Sequence, residues 1–444
     1  MGERLFSDRR LIRLIIPLVI EQGLTILVGM CDGVMVSAVG EAAISGVSLV
    51  DMINGVILVL FAALATGGAV VTSQLLGARR QEEARRSAGQ LVTMTFAVGC
   101  MMMLLCLVFA KGLMKLFFGS IAADVMEAGL TYLRITALSF PFIALYNAGA
   151  ALFRSVGNSR VSMQVSLWMN AINVAGNALC IFVLKMGVAG VALPTLVSRA
   201  VAAAMILTLA SNRKQELYLQ RKALLPVDRK IMRKILRIGI PSACENSFFQ
   251  LGRLVVVSMI ALFGTTQTSA NAVANTLDSM GIVIGQAMGL AMVTVVGQSV
   301  GAGDKSQASF YLKKLMKWSY LSLGAVNILI IVFINQLIGL YHSLSPQTVE
   351  LTRILVCIHA VFAILLWAPS FVLPNALRAA NDVKFTMWVG IGSMVVFRVF
   401  TSWILCVQLG WGAVGVWIAM ILDWVCRISF FLTRTLTGKW LEKV

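Results

Sequence analysis

The sequence predicts an all-α integral membrane protein with twelve transmembrane helices, in two six-helix lobes related by a pseudo-twofold axis. Three observations predict it. The 444-residue chain is 59% hydrophobic and only 13% charged, with a mean hydropathy of +0.88; a soluble domain carries roughly a quarter charged residues. Apolar runs of span length recur along the chain, with room for about twelve of ~20–28 residues. The second half repeats the first at an offset of 224 residues, Pro17 matching Pro241, Glu21 matching Glu245 and Gly40 matching Gly264.

The spans are expected at about 11–38, 47–76, 89–117, 130–155, 160–184 and 188–211, then 231–263, 270–300, 314–341, 349–377, 384–408 and 412–436. The first run follows MGERLFSDRR with no small-residue cleavage site, so it reads as a retained span and not a secretory signal. Basic residues collect on one side: Arg4, Arg9 and Arg10, then Arg79, Arg80, Arg85 and Arg86, Arg154 and Arg160, Lys305, Lys313 and Lys314, Arg378 and Lys384, and Arg434, Lys439 and Lys443. Loops of the other side are almost free of them, Lys185 excepted, while Lys111 and Lys115 close the third span and can snorkel to that surface. The positive-inside rule then puts both termini in the cytoplasm and the chain in the plasma (inner) membrane.

Residues 212–230 form a basic linker containing Pro226, between an N-terminal lobe at 1–211 and a C-terminal lobe at 231–444. It suits either a partly helical segment on an anionic leaflet or a plain positive-inside loop. Across it the repeat keeps its register. Gln74, Gly77 and Ala78 match Gln298, Gly301 and Ala302, Arg154 matches Arg378, and after one inserted residue GVAGVA from Gly187 matches GAVGVW from Gly412. Six spans per repeat is even, so the halves share an orientation and the axis runs along the membrane normal, with a central cleft between lobes.

Net charge is +18. Because that charge sorts by loop it reports topology, and no nucleic-acid partner is expected. All eight cysteines lie in apolar runs with no CxxC, so neither a disulfide framework nor a cysteine metal site is expected. His342 falls in an outer loop, and His359 reads as a packed helix residue. No Walker A motif or other catalytic motif is present, and the chain does not read as an enzyme. The 23 methionines suit plain core or a cavity that repacks around varied ligands.

Six acids fall at membrane depth: Glu21, Asp32, Asp51, Glu245, Asp278 and Asp423. Ionisable groups there are costly and by default mark function. Glu21 and Asp32 lie about three turns apart on nearly one face of the first span. Glu21, Glu245 and Asp278 are candidates for a substrate cleft that attracts cations, and structural ion pairing is the competing reading. Asp51 sits near a span end and can be hydrated. Asp423 can pair with Arg427 one turn on, and Arg199 and Arg253 are candidate partners for the others. Asp32 has Val256 as its mate, so that acid belongs to the N-terminal lobe alone. Asn170, Asn173 and Asn177 share one helical face of the fifth span. With one carboxylate they can coordinate a small hard cation, hydrogen-bond a protonated acid, or simply glue helices together.

This ordered set resembles the multidrug and toxic compound extrusion (MATE) family over essentially the whole chain. The matching features are Pro17 and Asp32 in the first span, QxxGA closing spans two and eight, LFRSVGNS and LRAAND after spans four and ten, and Asn170-x2-Asn173-x3-Asn177 followed by GVAGVA. The resemblance implies a cation-coupled antiporter exporting amphipathic, often cationic compounds, with no cofactor beyond the coupling ion, sodium or proton. It also implies that Asp32, Asn173, Asn177 and Thr195 form the cation-coupling site, Asp32 being the candidate sodium ligand, and that Pro17 lets the first span bend. Two departures stand out. Asn177 occupies a position where one branch has a second Asp, and Phe249 and Trp367 stand near positions where another branch has C-lobe acids. Expected partners are small-molecule substrates and membrane lipid, with a monomer as the expected state. The rival reading is a lipid-linked precursor flippase or polysaccharide exporter of the same wider superfamily, against which the cleft acids argue.

Overall fold

The computed structural model describes residues 4–119, 122–341 and 344–442; His342 and Lys443 lie outside them. Among the described residues the structure is helical, with no β-strand. The helices are α1 (Asp8–Ser37), α2 (Glu41–Gly77), α3 (Gln81–Phe118), α4 (Ala123–Ala137), α5 (Phe140–Ser155), α6 (Ser159–Ala178), α7 (Ala189–Ala210) and the short α8 (Arg221–Leu224). There follow α9 (Arg229–Ala261), α10 (Thr265–Gly301), α11 (Lys305–Val332), α12 (Ile334–Gly339), α13 (Pro346–Trp367), α14 (Leu373–Ala379), α15 (Val383–Ser393) and α16 (Gly412–Leu436).

Among the described residues ten helices are long and apolar enough to cross a membrane, and α4 with α5, bent by 47° at Leu138–Ser139, make up an eleventh if the pair is one span. The single span expected at 130–155 is therefore broken. Pro141 enters the first turn of α5, where its missing N–H costs nothing, and Ser139 Oγ donates to Thr136 O at 2.6 Å across the break. The twelfth span is α9. At 33 residues it is long enough, but Arg229, Lys230, Arg233, Lys234 and Arg237 in its first turns lower its mean hydropathy. Large apolar side chains such as Val108, Leu116, Trp388 and Leu436 stand exposed on the outer helix faces, as lipid contact demands.

The repeat is visible in the backbone. Left-handed residues occur at Gly40, Arg79, Gly157, Lys185 and Gly187, and again at Gly264, Gly303, Asn381, Gly410 and Gly412. The first three pairs keep the 224-residue offset, and the last two add one. Arg79 opposite Gly303 shows that the connection geometry is imposed by the helices and not by glycine alone. The added residue has a structural location. A π-helical stretch at Leu179–Val183 in the first half has its counterpart at Trp403–Gln408; those at Ala368–Val372 and Met394–Phe400 have none, and of these two only Met394–Phe400 lies between Asn381 and Gly410, where the offset changes. A π-stretch absorbs a one-residue insertion into a helix.

The chain forms two compact units, Asp8–Ala243 and Cys244–Val444 together with the segment ending at Ser7. In the first unit α1 buries Leu11, Leu14, Ile15, Leu18 and Glu21, an i, i+3, i+4, i+7 stripe, and runs unbroken through Pro17. The core centres on Phe61 packed edge-on against Phe140, with Met114, Leu133, Val165 and Ile206 around them. The linker is tied to this unit. Gln90 donates to Ala223 O (2.9 Å) and Pro226 O (3.1 Å) and accepts from Asp228 N (2.9 Å). Asp228 caps α9 by accepting from Lys230 N and Ile231 N. Those backbone bonds, Ile231 first, hold its carboxyl below the usual range. In the second unit, Leu5 N donates to Gln307 Oε1 (3.0 Å), and Phe6 N and O exchange hydrogen bonds with Tyr311 OH (2.8 and 2.9 Å), fastening residues 4–7 to the start of α11.

Candidate cation site and the buried ion pairs

The four residues expected to hold the coupling ion meet in the first unit. Asn177 Nδ2 donates to Asp32 Oδ1 at 2.8 Å and lies 3.4 Å from Asn173 Oδ1, and Asn173 Nδ2 donates to Thr195 Oγ1 at 3.0 Å. The chain of contacts thus joins α1, α6 and α7. Helical spacing puts Asn173 and Asn177 on one face, and both are buried, while Asp32 is half-buried. Asn177 Oδ1 is buried with no hydrogen-bond partner. An orphaned amide oxygen beside a carboxylate fits a hard cation or a protonated Asp32, both of which would engage it. Asn170 is set apart, 3.4 Å from Ser166 Oγ. Asp51 accepts from Tyr132 OH at 3.2 Å. Arg199 donates to Ser139 Oγ at 2.8 Å and lies in the field of both Asp51 and Asp32.

This junction depends on close approach of α6 and α7. An ideal Cβ on Gly176 would sit 2.7 Å from Pro194 Cβ and 3.1 Å from its Cγ, atoms of a rigid ring that cannot swing away. Gly176→Ala should push α7 from α6, lengthening the Asn173–Thr195 contact. If the junction is used in transport, the expected outcome is folded protein with export reduced about tenfold, in line with the sensitivity of preorganised sites to small displacements. Efflux at the wild-type rate would show that the contact is not needed.

The candidate cleft acids Glu21 and Glu245 are both buried, 5% exposed. Glu21 Oε1 lies 3.3 Å from Arg154 Nη1, Tyr146 OH lies 3.3 Å from the same oxygen, and Ser162 Oγ donates to Oε2 at 2.8 Å. Glu245 Oε2 accepts from Arg378 Nη2 at 2.7 Å, with Arg427 Nη1 4.0 Å from Oε1. Each acid lies 133 residues before its arginine, so the two pairs are one pair repeated. Sequence reasoning matched Glu21 with Glu245 and Arg154 with Arg378 but did not join them. The shared offset was the available signal.

In the second unit Asp278 pairs with His359, which is buried against the rings of Trp417 and Trp424. Asp423 pairs with Arg427 one turn on, as the spacing predicted, at 3.0 Å. Arg253, a candidate partner for the buried acids, has no ion pair or hydrogen bond among the described residues. Phe249 and Trp367 pack around Phe371 at 6.1 and 5.1 Å.

Two six-helix repeats that bury charged pairs at membrane depth, with a lone carboxylate held among amides in one of them, define a multi-pass membrane protein of transporter build. The MatE family model matches twice, over residues 17–179 and 241–404, and the chain belongs to that family. The two matches begin 224 residues apart and end 225 apart, the offset and single insertion seen in the backbone. Among relatives, the uncharacterized transporter YisQ of Bacillus subtilis is 29% identical over 438 residues, covering 96% of this chain and 94% of that protein. The probable multidrug resistance protein NorM of Thermotoga maritima is 27% identical over 442 residues, covering 98% and 93%. The fold is that of a multidrug resistance MATE family transporter solved in an outward-facing conformation, with a TM-score of 0.91 at 22% identity, covering 98% of this chain and 96% of that one.

Proposed function

We propose that this protein is a cation-coupled antiporter that exports amphipathic, often cationic compounds by alternating access, driven by sodium or protons. The observation that carries the reading is the Asp32–Asn177–Asn173–Thr195 arrangement with its unengaged Asn177 oxygen. A coupling ion or proton at Asp32 cancels a charge held among α1, α6 and α7, which changes how α1 packs on α6. Pro17 removes one backbone hydrogen bond from α1 and lowers the cost of bending it there. Linkage makes the coupling reciprocal: cation occupancy weakens drug binding, and drug weakens cation binding. The relatives named for multidrug resistance support the substrate class. Purified protein in liposomes loaded with a cationic dye should export it under an imposed sodium or proton gradient. Efflux indifferent to both gradients would overturn the coupling.

The same reading places the protein in the plasma (inner) membrane with both termini and the 212–230 linker cytoplasmic, on the strength of the loop charges. Single cysteines introduced at linker positions of a cysteine-free variant should resist a membrane-impermeant maleimide in intact cells and react after lysis. Labelling from outside would invert the topology.

A further inference from the structure

We propose that the end of the linker and the start of α9, centred on Leu225, Val227, Arg229 and Lys230, form a docking patch for the headgroups of anionic phospholipids. The proposal takes the inner leaflet as the source of those lipids, and to that extent it rests on the topology proposed above.

The linker backbone is bonded along one side. Gln90 Nε2 donates to Ala223 O and Pro226 O at 2.9 and 3.1 Å, and Thr93 Oγ1 donates to Leu224 O at 3.1 Å, all from α3. An ideal Cβ on Gly89 would come within 2.4 Å of Ala223 O, so this strap lies directly against α3. With these carbonyls turned inward, the side chains of Leu225 and Val227 stand out, 67% and 48% exposed. A segment already held this way loses little further entropy on binding.

The first turns of α9 continue the surface. Their inner face buries Ile235, Ile238 and Gly239, and a Cβ on Gly67 of α2 would meet Ile235 O at 2.7 Å. Arg229, Lys230, Arg233 and Lys234 lie on the other face and are exposed, with no ion pair or side-chain hydrogen bond among the described residues. Asp228 beside them is 3.3 Å from Arg86 and caps the helix by accepting from Lys230 N and Ile231 N. Residues 212–237 carry nine basic side chains against two acids, Glu216 and Asp228, so the field over this surface is positive. At 1.5 Å per residue, Arg237 and Arg233 lie about 5 and about 10 Å along the axis from Ile240, the first exposed large apolar side chain of α9. The basic face therefore crosses the headgroup layer.

The repeat separates this patch from the ordinary basic flank of a span. Arg233, Lys234 and Arg237 match Arg9, Arg10 and Arg13 at the 224-residue offset, so both halves carry them. Arg229 and Lys230 match Leu5 and Phe6, which are seated on Gln307 and Tyr311. Where the first half turns to protein, the second half presents two exposed charges beside two exposed apolar side chains. Apolar groups rimmed by Lys and Arg fit the boundary between headgroup and acyl chain, where the apolar part inserts and the basic part meets phosphate. A soluble anion would engage the charges and leave Leu225 and Val227 in water.

The test uses the full-length protein, freed of cysteine, with an environment-sensitive fluorophore on Val227→Cys. It is placed in phosphatidylcholine vesicles with or without phosphatidylglycerol, with a shallow spin-labelled lipid as quencher. Quenching should be stronger with phosphatidylglycerol, and high salt should reverse the gain by screening. At about fivefold in affinity per charge, Arg229→Gln with Lys230→Gln should remove the gain and leave the melting temperature in detergent unchanged, both side chains being exposed. Leu225→Ser should lower quenching in both kinds of vesicle. Equal quenching with and without phosphatidylglycerol, or a gain untouched by the double change, would overturn the patch. Loss of the gain on adding glycerol phosphate at constant ionic strength would assign the charges to free phosphate and overturn the lipid. A gain in a protein whose linker labels from outside intact cells would overturn the topology and leave the patch standing.

Discussion

If Asp32 holds the coupling ion as proposed, Asp32→Asn should abolish gradient-driven efflux while leaving a folded protein. The amide can still accept the hydrogen bond from Asn177 Nδ2 that Asp32 Oδ1 accepts at 2.8 Å, so the junction of α1, α6 and α7 keeps its shape. What is lost is the charge, and with it any difference between the occupied and free states. A ligand with equal affinity for two states shifts nothing, so export driven by the ion should fall to the level of empty liposomes. Drug binding in the absence of a gradient should persist. The measurement is dye efflux by the purified variant beside its melting temperature. Wild-type efflux would remove Asp32 from the mechanism, and a collapsed melting temperature would make it a structural residue.

Arg154→Met and Arg378→Met are expected to be among the most destabilising single changes in the chain. Each strips the partner from a buried glutamate, Glu21 held at 3.3 Å and Glu245 at 2.7 Å. Breaking a buried pair from one side costs about 3–5 kcal/mol when the remaining charge is uncompensated; Arg427, 4.0 Å from Glu245, should make the Arg378→Met loss the smaller of the two. The double change Glu21→Gln with Arg154→Met removes both charges and should recover most of the loss, as should the equivalent pair at 245 and 378. Thermal unfolding in detergent, read as a shift of the midpoint, checks this. Glu21→Gln alone separates structure from transport: unchanged export of cationic and neutral dyes confines Glu21 to the ion pair, while a loss restricted to cationic dyes makes it a substrate contact as well.

The fold was legible because lipid leaves few options. Long apolar runs must become helices, basic loops must sort by side, and a repeat held in register over most of the chain must build two lobes. The cation site was legible for a related reason: three asparagines on one helical face and an unmatched aspartate are conspicuous in so apolar a sequence. The ion pairs were less so. Glu21 and Arg154 each looked like an isolated charge, since no local spacing connects residues that tertiary packing brings together. The break at Leu138–Ser139 was hidden because a proline inside an apolar run, as Pro141 is within 130–155, is also tolerated in continuous membrane helices. The π-helical stretch at Met394–Phe400 was written in the sequence only as one extra residue in the second repeat.

Residues 4–7 belong to the fold of the second unit, while the helix that begins at Asp8 belongs to the first. The aromatic ring of Phe6 is 1% exposed and meets Tyr311 edge-on at 5.7 Å. Trimming a few residues from the front of the chain would therefore uncover Tyr311 and Gln307, some three hundred positions away. A fusion that displaced Phe6 would load that seat in the second unit.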